Sequence, residues 1–195
     1  MSSGHADIKA GNPRFYAGRM LLALPGMVDP NFHKATIAMC VHDENGAMGI
    51  DVGHIVDGLS ATELMANFEI DAPQLAHVPV LNGGPVEPQR GFVLHSLDWS
   101  GQDFVQIGVE WGLSGSLDIL KAIAAGEGPS RYVIALGYSG WGAGQLEHEM
   151  AMHGWFLGEE IPISLAAIPP ARRWDHCFAD SGVDARLLSG GMGQA

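Results

Sequence analysis

The chain has 195 residues, 47% of them hydrophobic, and its 10 Lys and Arg stand against 22 Asp and Glu for a net charge of −12. A chain of this length buries roughly 70% of its unfolded surface, so one domain needs neither a disulfide nor a metal to stay folded, and the negative field argues against direct binding to a phosphate backbone. The N-terminus lacks a basic segment followed by an apolar one, and no run approaches 18 apolar residues, so the expected location is cytoplasmic.

Residues 1–13 are small and polar and read as a flexible arm ahead of a single domain over 14–188. Phe15 to Leu24 is an apolar run stopped by Pro25-Gly26, the pattern of a buried strand. Asp29 to Phe32 reads as a turn or one helical turn. Thr36 to His42 alternates, Asn45-Gly46 is a hairpin signal, and Ala47 to Val52 returns as the partner strand. Ser60 and Glu63 form a capping-box pattern that opens a short helix with Leu64, Met65 and Phe68, ended before Pro73.

Val78 to Leu81 is a strand broken by residues 82–85, and Gly91 to His95 is another. Val105, Ile107, Val109 and Trp111 alternate with polar or small residues, which predicts a strand with one wet face. Ser116 caps a helix carrying Leu117, Leu120 and Ile123, stopped by Gly126. Tyr132 to Leu136 is a central strand that feeds Gly137, Gly140, Gly142 and Gly144, followed by a helix with Leu146 and Met150 on one face. Trp155 to Leu165 holds one or two short strands, and Pro169-Pro170 starts a last helix with Trp174 and Phe178 four apart. Residues 189–195 read as a mobile tail. Strands outnumber helices and do not alternate with them, so the expected class is α+β. Cys40 and Cys177 lie far apart and read as buried thiols.

Gly137-Tyr-Ser139-Gly-Trp141 nearly spells the G-x-S-x-G nucleophile elbow, but Trp141 occupies the place where the strained turn needs glycine, which favours a turn serine. The same glycines could cradle an anion at a helix N-terminus or simply allow close strand–helix packing. His148 and His153 are five apart, so on a helix they diverge, and no metal site is expected. Arg90, one of only ten basic residues, is either an anion clamp or an ion pair tying a loop. His95 ends an apolar strand, the usual place for a core histidine.

Leu24-Pro25-Gly26 with Asp29-Pro30-Asn31-Phe32, Gly46 to Gly49, Gly83 to Val86, Arg90 to His95, Gly137 to Glu147, Trp155 and Arg173-Trp174 together resemble the YqgE/AlgH family of bacterial proteins, in the right order from residue 13 onward. The chain departs from that pattern after Gly49: members run into Asn, a basic residue and Pro, and Gly53-His54-Ile55 stands here. The resemblance implies a bifurcated, mostly antiparallel β-sheet folded into a pseudo-barrel with helices packed outside. It also implies a cytoplasmic protein with no established enzymatic reaction, some members carrying the label of transcriptional regulator.

The expectation is a non-enzymatic binding or regulatory protein that acts through a protein partner and uses no cofactor. Its recognition surface is expected to join Gly83, Gly84, Pro85, Arg90 and His95 to Gly137, Ser139, Trp141, Gly142, Gln145 and Glu147. The alternatives are a hydrolase-like enzyme with a pocket at the glycine-rich turns, using Ser139 or His95, and a regulator that contacts DNA itself.

Overall fold

The structure is a computed structural model that describes residues 15–27, 29–152 and 154–188. The expected arm, the expected tail and His153 lie outside the described residues. Among the described residues ten strands are present: β1 (Arg19–Ala23), β2 (Thr36–Asp43), β3 (Gly46–Asp51), β4 (Ile55–Ser60), β5 (Pro79–Asn82), β6 (Val86–Ser96), β7 (Val105–Ile107), β8 (Trp111–Ser114), β9 (Tyr132–Gly142) and β10 (Trp155–Glu160). Five α-helices accompany them: α1 (Ala61–Ala66), α2 (Leu117–Ala125), α3 (Gln145–Ala151), α4 (Pro170–Asp180) and α5 (Ala185–Leu188).

The main sheet runs β10-β1-β2-β3-β9-β6-β8-β7, with β4 and β5 as a branch. The branch point is on β9. Its first half, Ile134 to Leu136, pairs in parallel with β5, and its second half, Ser139 to Gly142, pairs antiparallel with β3. Strand β6 takes the opposite edge of β9. The three residues Gly83, Gly84 and Pro85 must therefore cross β9 between the pair Asn82–Leu136 and the pair Val86–Tyr138.

That crossing explains the glycines. A Cβ on Gly84 would sit 2.2 Å from the carbonyl carbon of Tyr138, one on Gly83 would sit 2.3 Å from the Gly137 oxygen, and one on Gly137 would sit 2.4 Å from the Gly84 oxygen. Gly84 and Gly137 also have φ of +147° and +73°, which side chains rarely adopt. The glycine-rich stretch is thus not a loop after a short strand: β9 runs unbroken through Gly137 and Gly140 to Gly142, and only Ala143 and Gly144 turn.

The sheet curls into a half-barrel. Its two ends approach, with Gly18 and Gly108 in backbone contact and the Trp111 indole donating to the Ile161 carbonyl at 3.2 Å. Alternation on each strand sorts side chains to two faces. Leu22, Ala38, Ile50, Leu94 and Trp111 form the enclosed core, which Trp174 and Phe178 of α4 complete. Ile37, Met39 and Trp141 face the other way against Leu146 of α3, and Val80, Val93 and Ile134 pack under α1 and α2. Cys40 and Cys177 are free thiols in the enclosed core, and burial pushes each up to about 12.

The expected single strand over 105–111 is instead a hairpin. Gly108, at φ +58°, reverses the chain between β7 and β8. The hairpin 36–52, the Ser60–Glu63 capping box and the Gly126 helix stop are all present. The capping box sits immediately after β4, an edge strand that the sequence pattern did not announce.

Candidate functional site

The expected surface residues on the C-terminal side of the fork divide: Gly137, Ser139 and Trp141 are buried, whereas Gly142, Gln145 and Glu147 are exposed. Trp141 is only 6% exposed, and its indole donates to Glu149 at 2.9 Å. Trp155 donates to the same carboxylate oxygen at 2.8 Å, while the other oxygen accepts from Gln145 at 2.9 Å. Gln145 in turn accepts from the Gly142 backbone N–H at 3.0 Å, so that donor is not free for an anion. Glu147 holds His42, whose Nδ1 accepts from the Tyr16 N–H and whose Nε2 therefore donates to the carboxylate at 3.0 Å. Trp141, Gly142, Gln145 and Glu147 fasten α3 to the sheet; Trp141 also lines the neighbouring cleft but is buried, which corrects the expectation of an exposed contact.

Ser139 is also corrected. It lies in the middle of β9 with no exposure, and its hydroxyl points to the Gly83 carbonyl at 3.5 Å. It lines a small cavity of about 280 Å³ with Asp51 and His54, the residue types of a hydrolytic triad. His54 Nδ1 does meet Asp51 at 2.7 Å, which pushes its pKa up, but the ring also engages the His33 backbone and no hydrogen bond joins it to Ser139. His95 is fully buried, edge-on to both Trp99 and Phe104, and burial pushes its pKa down. It is a core histidine and not a surface contact.

What remains open is the inner face of the half-barrel beside the fork. A cleft of about 810 Å³ has Met48, Phe92, Leu113 and Tyr138 on its walls, drawn from β3, β6, β8 and β9. Its borders are the hairpin tip with Asp43 and Asn45, and the segment Gln102 to Val105. Val41 and Val105 add exposed apolar surface, the latter 58% exposed. Phe92 and Tyr138 meet edge-to-face at 5.9 Å.

Arg90 reaches this cleft through a second irregularity. Between the pairs Val86–Tyr138 and Gly91–Leu136, β6 carries four residues against a single one on β9, so Glu87 to Arg90 bulge outward. Glu87 adopts φ +46°, a left-handed conformation that costs a non-glycine residue about 1 kcal/mol or more. Within the bulge Arg90 donates to Glu87 at 3.0 Å and lies 5.1 Å over the Phe92 ring. The guanidinium stays 60% exposed, so this ion pair adds little stability.

The fork thus brings Gly83, Gly84, Pro85 and Gly137 together as backbone scaffolding, with Arg90 and Tyr138 displayed beside it. Sequence reading missed Tyr138, Met48, Phe92 and Val105. Tyr138 sits inside the singled-out stretch, whereas alternation placed Val105 on the apolar face with Ile107 and gave no signal of its exposure. Among the described residues lining the cleft there is no Ser, Cys, Lys or His to serve as nucleophile or base. The cleft offers an apolar floor, carboxylates at the border and one guanidinium.

Fold and cleft together define an α+β half-barrel protein whose sheet forks around a glycine crossing. The chain belongs to the AlgH-like family, whose model matches residues 20–186. A UPF0301 protein of Novosphingobium aromaticivorans is 53% identical over 93% of this chain and 97% of its own length, and one from Sphingopyxis alaskensis is 49% identical over 94% and 98%. The solution structure of the AlgH protein from Pseudomonas aeruginosa superposes with a TM-score of 0.77 at 38% identity, covering 96% of this chain and all of that one. A Corynebacterium diphtheriae protein shares the fold at a TM-score of 0.72 and 17% identity, over 89% and 91% of the two chains.

Proposed function

We propose that this protein is a non-enzymatic recognition protein that holds a protein partner in the cleft of the half-barrel, beside the fork. One observation carries this reading: an open cleft of about 810 Å³ with an apolar floor coincides with the two strand irregularities, and none of the residues lining it is a Ser, Cys, Lys or His. A lining of Tyr, Phe, Met and Arg is the composition that concentrates binding energy in protein interfaces. The net charge of −12 makes a protein-mediated role in regulation the consistent one, with no direct grip on DNA. No helix among the described residues is long and apolar enough to cross a membrane, and the proposed place of action is the cytoplasm.

The test is capture of partners from a lysate by the wild type and by Val105→Asp and Arg90→Ala. Both positions are exposed, so both variants should melt within a few degrees of the wild type while losing the same captured protein. Equal capture by all three proteins would refute the cleft as the binding surface.

A further inference from the structure

A second cavity brings two of the ten basic residues together. It encloses about 530 Å³ between the start of β5, the start of β9 and the turn into α4, and it is lined by Arg131 and Arg173, with His77 also in its wall. In a chain with 22 acidic and 10 basic residues, no carboxylate side chain lines this cavity.

Arg173 is the unusual member. It is only 3% exposed, yet among the described residues no carboxylate lies within ion-pair distance of it. Two of its donors go to the carbonyls of Ile168 and Val52, at 2.9 and 2.7 Å, out of the five a guanidinium has. Burial pulls it down to about 10, partly offset by the field of the Asp51 carboxylate, which lies beyond ion-pair distance. Buried charges in proteins are ordinarily paired.

Arg131 shows the same deficit from the rim. Its Nε–H is shut off from water without an acceptor, and Glu110 reaches its other end only at 3.9 Å. The hydroxyl-bearing Ser130 and Tyr132 adjoin it, and Val78, Leu81 and Ile168 supply apolar wall.

We infer that this cavity is a binding site for a small phosphomonoester, its dianionic phosphate held between the Arg131 and Arg173 guanidiniums and its apolar body against Val78, Leu81 and Ile168. Two fixed positive charges match a dianion, and guanidinium forks suit phosphate oxygens. The cavity volume falls in the range of small-molecule sites and exceeds what phosphate alone would fill. The overall negative field slows the encounter, but close charge-assisted hydrogen bonds set how long the ligand stays. This site is separate from the cleft at the fork, so each can fail alone.

The experiment is a titration of ¹⁵N-labelled protein with phenyl phosphate, reading the side-chain Nε–Hε signals of Arg131 and Arg173. The expected result is a saturable shift of both signals, no shift with phenol, and weaker binding of inorganic phosphate. Arg131→Met should bind phenyl phosphate at least about tenfold more weakly while keeping the wild-type melting temperature. Arg173 is not substituted for this purpose, because it also ties α4 to Val52. Absence of a saturable shift, or undiminished binding by the Arg131→Met variant, would overturn the site. Equal affinity for inorganic and phenyl phosphate would overturn the role of the apolar wall.

Discussion

The two sides of β9 between Gly137 and Gly142 are built from one stretch of chain and do opposite things. On the α3 side, Trp141 is sealed under a helix, and one carboxylate, Glu149, collects two indole N–H groups. On the cleft side, Tyr138 is half-buried beside Phe92, whose ring lies under the exposed guanidinium of Arg90. Alternation alone separates the two fates, since residues 138 and 141 fall on opposite faces of a pleated strand. The lesson is that dense glycine and tryptophan mark where backbones must approach, while the open cleft proposed for a partner lies next to that place.

The comparison breaks most severely at the crossing itself. Gly84→Ala puts a Cβ into the Tyr138 backbone at a φ of +147°, so we expect a loss above about 4 kcal/mol and little folded protein by circular dichroism. Next comes the closed side. Glu149→Ala strands two buried indole donors, at about 1–3 kcal/mol each, and urea titration should show a loss near the sum. Glu149→Gln, which still offers one oxygen, should lose less.

Two histidines sharpen the contrast through pH. His54 has its pKa raised above 6.5 by its hydrogen bond to Asp51, so its contribution is fully present below about pH 6.5 and is lost as pH rises through the raised value. His95 has its pKa lowered by burial, so its contribution is fully present above about pH 6.5 and is lost as pH falls toward the lowered value. Urea midpoints measured across this range should lose their alkaline slope in His54→Gln and their acid slope in His95→Phe. The smallest stability effect belongs to the open side. Val105→Asp should change unfolding free energy by no more than about 0.5 kcal/mol while removing partner capture.

Local structure was legible where one residue type settles it. Asn45-Gly46 marked a hairpin, Ser60 with Glu63 a helix start, and Gly126 a helix end. The run 105–111 misled because alternation survives a tight turn: Gly108 reverses the chain without disturbing the pattern. The α+β class followed from element order, whereas the half-barrel came from resemblance. The fork itself was not readable, since which strand pairs with each half of β9 is a long-range choice. For the proposed site, the sequence singled out two segments that do meet at the fork, but several of the side chains it nominated are interior. Ser139, Trp141 and His95 carry suggestive chemistry, but burial is a property of the whole fold and removed all three from the surface.

The central claim is that the open side of β9, and not the closed side, meets a partner. In-cell photo-crosslinking tests it most directly, with p-benzoylphenylalanine placed either at Val105 in the cleft border or at Met152 beyond α3, which are 58% and 70% exposed. The account predicts one dominant protein adduct from position 105 that position 152 does not give. Identical adducts from both positions, or an adduct from 152 alone, would contradict it.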